Sequence, residues 1–67
     1  MNALFAHTET QPLLNVRRAA ELLNVSTRTV YALVERGEVP HARVGGQIRF
    51  VPSTLEQWLR DGGQRVS

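Results

Sequence analysis

The stretch that decides the fold is VRRAAELLNVSTRTVYALVE, which runs from Val16 to Glu35. In its first half, small and apolar residues recur at three- and four-residue spacing, which predicts a helix over 16–23. Asn15 before it is a residue type that commonly caps the beginning of a helix. Asn24 after it tolerates the left-handed conformation in which helices often end. The stretch therefore begins with one short amphipathic helix.

The second half predicts another helix after a very short turn. Ser26 is a capping residue, with Thr27 as an alternative, and apolar residues again recur at helical spacing. Gly37 follows as a helix-ending residue, so this helix is expected over 27–36. Only residues 24–26 separate the two helices, which therefore have to cross at a steep angle.

Two helices joined by so tight a turn place local demands on the sequence. Ala20 is small where the second helix crosses the first, and Asn24 suits an unusual backbone conformation in the turn. Val25 is expected to pack beneath the turn, and Val30 and Leu33 are expected to hold the second helix in place. The combination predicts a helix-turn-helix.

Two short strands, 42–44 and 47–51, follow on either side of Gly45 and Gly46. A Gly-Gly pair at this place predicts a β-hairpin, since the tight turn needs positive φ. The residues expected to face the core are Val44, Ile48 and Phe50, and those expected to face outward are Arg43, Gln47 and Arg49. An isolated hairpin is unstable, so it has to pack on the helices.

A third helix is predicted over 54–60. Ser53 and Glu56 have the spacing of a capping box, and apolar residues recur at helical spacing over 55–59. Trp58 is therefore expected in the core, although tryptophan also stacks on nucleic-acid bases in some proteins.

These elements predict a mainly α fold with a small two-stranded β-hairpin, which is a winged helix-turn-helix. The expected organisation is a flexible tail over 1–12, one winged helix-turn-helix domain over 13–61 and a flexible tail over 62–67. A chain of 67 residues fits a single domain, and so small a domain needs a compact core.

The charge of the chain is concentrated in the predicted domain. All eight basic residues are arginine, and six of them lie between Arg17 and Arg49 with only three glutamates, so that stretch carries a net +3. Arginine suits bidentate contacts with phosphates and guanine edges. A genome rich in GC would also favour arginine over lysine, so the composition leaves both explanations open.

The sequence argues against several other classes of function. It contains no cysteine, and His7 and His41 are isolated from each other, so no metal site and no cofactor are expected. It shows no convergent set of catalytic groups, and therefore we do not expect an enzyme. No apolar run approaches a membrane span, which leaves a cytoplasmic protein as the expectation.

The residues from Val16 to Tyr31, followed by RGEVP from Arg36 and RVGGQIRF from Arg43, resemble the excisionase family of winged helix-turn-helix proteins, relatives of the MerR-type DNA-binding domain. The resemblance implies that the second helix enters the major groove and that the hairpin wing contacts the minor groove or the backbone. It also implies a protein associated with the prokaryotic nucleoid. The sequence departs from the family pattern at Asn24, where glycine is usual, and in having no lysine on the wing.

The candidate DNA-binding residues of the second helix are Ser26, Thr27, Arg28, Tyr31 and Glu35. Arg28 either pairs with guanine or holds a phosphate, and Tyr31 contacts DNA or is a half-buried surface aromatic. Ser26 and Thr27 cap the helix and also have hydroxyls that suit a phosphate.

The candidate DNA-binding residues outside that helix are Arg43, Gly45, Gly46, Gln47 and Arg49 on the wing, and Arg17 and Arg18 on the first helix. A narrow minor groove attracts arginine. Charged residues on a hairpin also deter aggregation in the absence of any ligand, and Arg17 and Arg18 equally fit a solvated surface.

Three functions remain open at this point. The first is an excisionase that binds and bends double-stranded DNA beside an integrase, the second is a small transcription regulator, and the third is a protein-interaction adaptor. Because no heptad repeat follows Trp58, we expect a monomer without a coiled coil. Because only one domain is predicted, we also expect no small-molecule effector. Such a monomer would bind repeated sites cooperatively with further copies of itself.

Overall fold

The computed structural model describes residues 12–63, which form three helices and one antiparallel hairpin. The elements are α1 (Val16–Leu23), α2 (Thr27–Glu35), β1 (Ala42–Val44), β2 (Gln47–Arg49) and α3 (Pro52–Arg60). This is the predicted winged helix-turn-helix. The expected tails lie outside the described residues, apart from Pro12, Gly62 and Gly63.

The turn after α1 is closed by two backbone hydrogen bonds. Asn24 has φ 60° and ψ 45° and donates its N–H to the carbonyl of Glu21 at 3.2 Å. Val25 donates its N–H to the carbonyl of Ala20 at 3.0 Å. This pair of bonds is the Schellman arrangement, and α2 ends in the same way at Gly37, where φ is 66°. The predicted ends of both helices are therefore confirmed to within one residue.

Small side chains let α2 pack closely on α1. Ala19 and Ala20 are buried in α1, and Val30 and Val34 are buried in α2, with Leu33 partly buried beside them. The expectation for Val25 is wrong. Its N–H closes α1, but its side chain is 40% exposed and therefore does not fill the space beneath the turn.

The hairpin has a tight two-residue turn. Gly45 and Gly46 have φ 60° and 85°, which side chains with a Cβ rarely adopt at two positions in a row. The register pairs Ala42 with Arg49, Arg43 with Ile48 and Val44 with Gln47. Directly opposed residues share a face of the sheet, so Val44 lies on the face of Gln47 and Arg49.

This register corrects two predictions about the wing. Val44 is 53% exposed and does not face the core, because it lies on the face opposite to Ile48. Arg43 and Arg49 do not share one outer face, since Arg43 is paired with Ile48. The core-facing positions of Ile48 and Phe50 are confirmed, but the orientation of β1 relative to them depends on the turn.

Phe50 joins the hairpin to the helices. It follows β2 and forms a bridge with Leu14, in which each residue donates its N–H to the other's carbonyl at 2.8 Å. Its side chain is fully buried against the core. The segment before α1 therefore pairs with the end of the hairpin and holds it beside the first turn of α1.

The core is built from all the predicted elements. The buried hydrophobic residues are Val16, Ala19, Ala20, Val30, Val34, Val39, Phe50 and Leu55, with Leu14, Leu23, Leu33, Ile48 and Trp58 packed partly buried around them. Val39 lies in the connection after α2, which has no periodic pattern, and for that reason sequence reasoning missed it. Leu59 is 47% exposed, so the predicted apolar stripe of the third helix is narrower than expected.

The beginning of α3 differs from the prediction. Val51 is its N-cap residue, Pro52 is its first residue and no side chain caps it. The amide of Leu55 donates to the carbonyl of Val51 at 2.9 Å, so helical bonding begins before Ser53. The capping box at Ser53 and Glu56 therefore does not form, because proline is well suited to the first helical position.

Replacement of Leu55 by alanine should destabilise the domain strongly. Leu55 is fully buried, and Leu55→Ala leaves a cavity that should lower the free energy of unfolding by about 2–5 kcal/mol. The matched control is Leu59→Ala on the same helix, where the exposed side chain should change it by no more than about 0.5 kcal/mol. Urea unfolding followed by circular dichroism measures both, and equal effects would show that α3 does not pack as described.

Candidate nucleic-acid interface

The face of α2 turned away from the core is polar and accessible. Burial of Val30 and Val34 against α1 leaves Thr27, Arg28 and Tyr31 on the surface, and the exposed fraction of Tyr31 is 52%. Arg28, Tyr31 and Glu35 lie at spacings of three and four residues, and therefore form one stripe along the helix. This stripe contains a cation, a phenol and a carboxylate.

Ser26 caps the helix that carries this stripe. Its Oγ accepts a hydrogen bond from the backbone N–H of Thr29 at 3.1 Å and lies 3.1 Å from the Oγ1 of Thr29. The predicted capping role of Ser26 is confirmed. Because its hydroxyl already forms these contacts with Thr29, the main role of Ser26 is to stabilise α2.

A groove lies between the beginning of α1, the middle of α2 and the hairpin. It has a volume of about 490 Å³. The residues that line it are Asn15, Val16, Arg17, Tyr31, Arg43, Gly46, Gln47, Ile48 and Arg49. One aromatic residue of the helix-turn-helix and two arginines of the wing therefore contribute to a single concave surface, which we call the arginine groove.

The arginine groove is strongly positive. Three arginines line it and no carboxylate does. Among the described residues, the guanidinium groups of Arg17 and Arg43 form no ion pair, whereas Arg18 lies 4.0 Å from Glu21 and Arg36 lies 3.5 Å from Glu38. Cations placed together without a counter-charge destabilise the folded chain slightly and attract an anion.

Arg49 is held in place by neutral groups. Its Nη1 donates to the carbonyl of Ile48 at 2.7 Å, and its Nη2 donates to the Oε1 of Gln47 at 2.6 Å. Neither acceptor carries a charge, so the guanidinium keeps its full positive charge. The side chain is partly buried, and these two hydrogen bonds orient its guanidinium in the structure.

The structure brings together six of the predicted site residues in the arginine groove, namely Arg17, Tyr31, Arg43, Gly46, Gln47 and Arg49. It does not place Ser26, Thr27, Arg28, Glu35, Gly45 or Arg18 in the lining of that groove. Arg28 and Glu35 lie on the exposed stripe of α2, and Arg18 is turned towards Glu21.

Sequence reasoning missed Asn15 as part of the groove, since it was assigned only as a helix cap. It does cap α1, because its Oδ1 accepts from the N–H of Arg18 at 2.8 Å. Its position at the first turn of α1 also brings it to the edge of the groove. The helix-capping signal identifies Asn15 as a cap, but it gives no information about the hairpin that lies beside Asn15 in the fold.

Two further features of the described part of the chain concern other functions. No cluster of three or more histidine, cysteine, aspartate or glutamate side chains occurs among residues 12–63. In the same range, no helix has the length and apolarity needed to cross a membrane. His41 lies outside the groove, with its Nδ1 3.0 Å from the carbonyl of Val39.

Comparison with known proteins places this architecture in a defined class. Residues 13–63 match the family described as "Helix-turn-helix domain". The match covers most of the chain, and the protein therefore belongs to this family. No solved structure gives a significant match.

Two similar proteins come from Mycobacterium tuberculosis, one from strain CDC 1551 / Oshkosh and one from strain H37Rv, and both are named "Putative DNA-binding protein". Each is 51% identical over 47 residues, which cover 70% of this chain. The aligned region spans 60% of the length of each of these relatives.

Loss of the Ser26 cap should weaken α2 without altering the groove. Ser26→Ala removes the acceptor for the Thr29 amide and should lower the free energy of unfolding by about 1 kcal/mol. Ser26→Asp is the matched control, because it keeps an acceptor and places negative charge at the positive end of the helix. Chemical unfolding distinguishes the two, and a Ser26→Ala protein of unchanged stability would contradict the capping role.

Proposed function

We propose that this protein binds double-stranded DNA through the stripe of α2 and the arginine groove. The observation that carries the proposal is that Arg17, Arg43 and Arg49 line one groove with Tyr31 and without a carboxylate. Such a surface favours the phosphates of a nucleic-acid backbone, which supply most of the affinity of proteins for DNA. The family and the names of the relatives support the same conclusion.

In the proposed complex, α2 enters the major groove and the hairpin lies on the adjacent backbone or minor groove. Arg28 is near the beginning of α2, the part of a recognition helix that reaches base edges in helix-turn-helix proteins. Glu35 is suited to accept from the amino group of cytosine, provided that α2 lies deep enough. Tyr31 connects the two parts of the protein surface, because it belongs to the stripe of α2 and also lines the arginine groove.

We further propose an accessory role in recombination, in which the protein binds and bends DNA near an attachment site as an excisionase. This part rests on the resemblance of residues 16–50 to that family. The alternative is a small transcription regulator of the MerR-like class, which would use the same surface. Both are binding roles without catalysis, and both suit a cytoplasmic protein.

One experiment separates these roles from the adaptor hypothesis. Selection of bound duplexes from a random pool, followed by titration of the selected site and of an unrelated duplex, should give tighter binding to the selected site. Equal, salt-insensitive and weak binding to both would favour an adaptor. An excision assay with a candidate partner integrase, and a reporter assay with the selected site in a promoter, then distinguish recombination from regulation.

A single module of this kind buries only about 600–1,000 Å² on DNA, which limits its affinity. We therefore propose that further copies of the protein, or a recombinase already bound, assist it on adjacent sites. Probes that carry one, two or three copies of the selected site test this, since cooperative binding raises the affinity per site on the longer probes.

Removal of Arg28 or Tyr31 should weaken sequence-specific binding while leaving the fold intact. Both side chains are exposed on α2, and Arg28→Ala and Tyr31→Ala should each weaken binding to the selected site by about 1–3 kcal/mol. Fluorescence anisotropy with the selected and the unrelated duplex measures the change. If neither variant changes affinity for the selected site, α2 does not read the DNA.

The arginine groove should be visible in the salt dependence of binding. For contacts with about four to six phosphates, log K should fall against log salt with a slope of roughly −4 to −5. The double variant Arg17→Gln and Arg43→Gln should make the slope less steep by about 2, since two phosphate contacts are lost.

The matched control for the salt experiment is Arg60→Gln on α3. Arg60 is exposed, donates to Gln57 at 3.2 Å and does not line the groove. It should leave the slope unchanged although it removes one positive charge, half the number that the double variant removes. Equal effects of Arg60 and the groove arginines would mean that only overall charge matters.

A further inference from the structure

The wing contains an arrangement that the proposed function does not by itself require. Gln47 and Arg49 lie two residues apart on β2, and therefore on the same face of the hairpin. The residues opposite them on that face are Val44 and Ala42, which have no polar side-chain atoms. Within this face, the Oε1 of Gln47 is thus the side-chain acceptor available to the Arg49 guanidinium, and it accepts at 2.6 Å.

We propose that Gln47 is a positioning residue that fixes the guanidinium of Arg49 for one phosphate of the DNA backbone, and that it does not read a base. This inference rests on the proposed function, because it concerns how the wing engages DNA. It assigns Gln47 and Arg49 to a sequence-independent contact.

The hydrogen bond itself argues against base reading by Gln47. Glutamine reads adenine with its amide oxygen and amide nitrogen together. In this hairpin the amide oxygen already accepts from Arg49, so it could receive the adenine amino group only on its second lone pair, with the amide plane fixed by the Arg49 bond. The guanidinium, in contrast, has several further N–H donors after its bonds to Gln47 and Ile48, and they remain available to a phosphate.

The charges of the groove explain why a neutral acceptor is used. Arg17 and Arg43 line the same groove, and their repulsion would drive a freely rotating Arg49 towards solvent. The amide of Gln47 and the carbonyl of Ile48 hold the guanidinium without cancelling its charge. A carboxylate at position 47 would hold it as well, but would neutralise the charge that attracts a phosphate.

Holding the side chain before binding also removes part of the entropic loss on association. Ordering a long side chain at an interface opposes binding by an amount that corresponds to about a 3- to 10-fold change in affinity. Loss of the Gln47 bond should therefore weaken DNA binding by about that factor, on any sequence, provided that Arg49 is present.

The test is a double-mutant cycle with Gln47→Ala, Arg49→Gln and the two combined, measured by anisotropy on the selected and the unrelated duplex. Gln47→Ala should weaken both complexes by about 3- to 10-fold with an unchanged salt slope. In the Arg49→Gln background the same change should have almost no effect, because Gln47 acts only through Arg49. The proposal is overturned if the losses of affinity of the two single variants multiply in the double variant. It is also overturned if the Gln47→Ala protein shows a changed base preference in a repeated selection.

Two further variants test why the loss of Gln47 weakens DNA binding. Gln47→Glu should weaken binding and make the salt slope less steep by about 1, since it neutralises Arg49; tighter or unchanged binding would overturn the proposal. Val44→Ala is the matched hairpin control, because Val44 is opposite Gln47 and exposed. It should leave affinity unchanged, and a loss equal to that of Gln47→Ala would show a general hairpin effect instead.

A measurement on the free protein separates this inference from the proposed function. Nitrogen-15 NMR of the guanidinium groups should show hindered rotation for Arg49 in the parent and free rotation in Gln47→Ala. Free rotation in the parent overturns the positioning role whatever the DNA experiments show. Hindered rotation in a protein that binds no duplex supports the positioning role and overturns the proposed function, together with the assignment of a DNA phosphate to Arg49.

Discussion

The two hydrogen bonds between Leu14 and Phe50 are the constraint on which the rest of the structure depends. They join the segment before α1 to the end of β2 at 2.8 Å in each direction. With the Phe50 ring fully buried, they hold a hairpin of three-residue strands that would be unstable alone. Because of this connection, the first turn of α1 and the wing face each other, and the space between them is the arginine groove.

The composition of the core explains how so small a domain tolerates a charged groove. The core uses small and medium side chains that pack closely, and all its fully buried residues are apolar. No charged or polar residue of the described chain is buried, so no polar side chain has to be satisfied inside. The arginines therefore remain at the surface, where their mutual repulsion is moderated by solvent. The charge that a phosphate would neutralise is kept without a large loss of stability.

The stripe of α2 and the wing depend on different structural constraints. The stripe of α2 rests on a regular helix with a side-chain cap at Ser26, and helical periodicity alone defines which of its residues are exposed. The wing rests on a turn of two glycines and on its pairing register. A shift of the register by one residue would exchange the two faces. Small changes in the turn therefore decide which wing side chains lie on each face of the hairpin.

The order of the elements, the ends of α1 and α2 and the exposed stripe of α2 follow from the sequence alone. They depend on local preferences, such as the left-handed conformation of Asn24 and the periodic burial of Val30 and Val34. Tertiary structure alone decided which residues share the arginine groove. Arg17, Tyr31 and Arg49 are far apart in the chain, and the packing of α2 on α1, together with the Leu14–Phe50 bridge and the hairpin register, brings them together. Local periodicity carries no information about the bridge, because it joins segments distant in sequence, or about the register, because the turn of two glycines sets it.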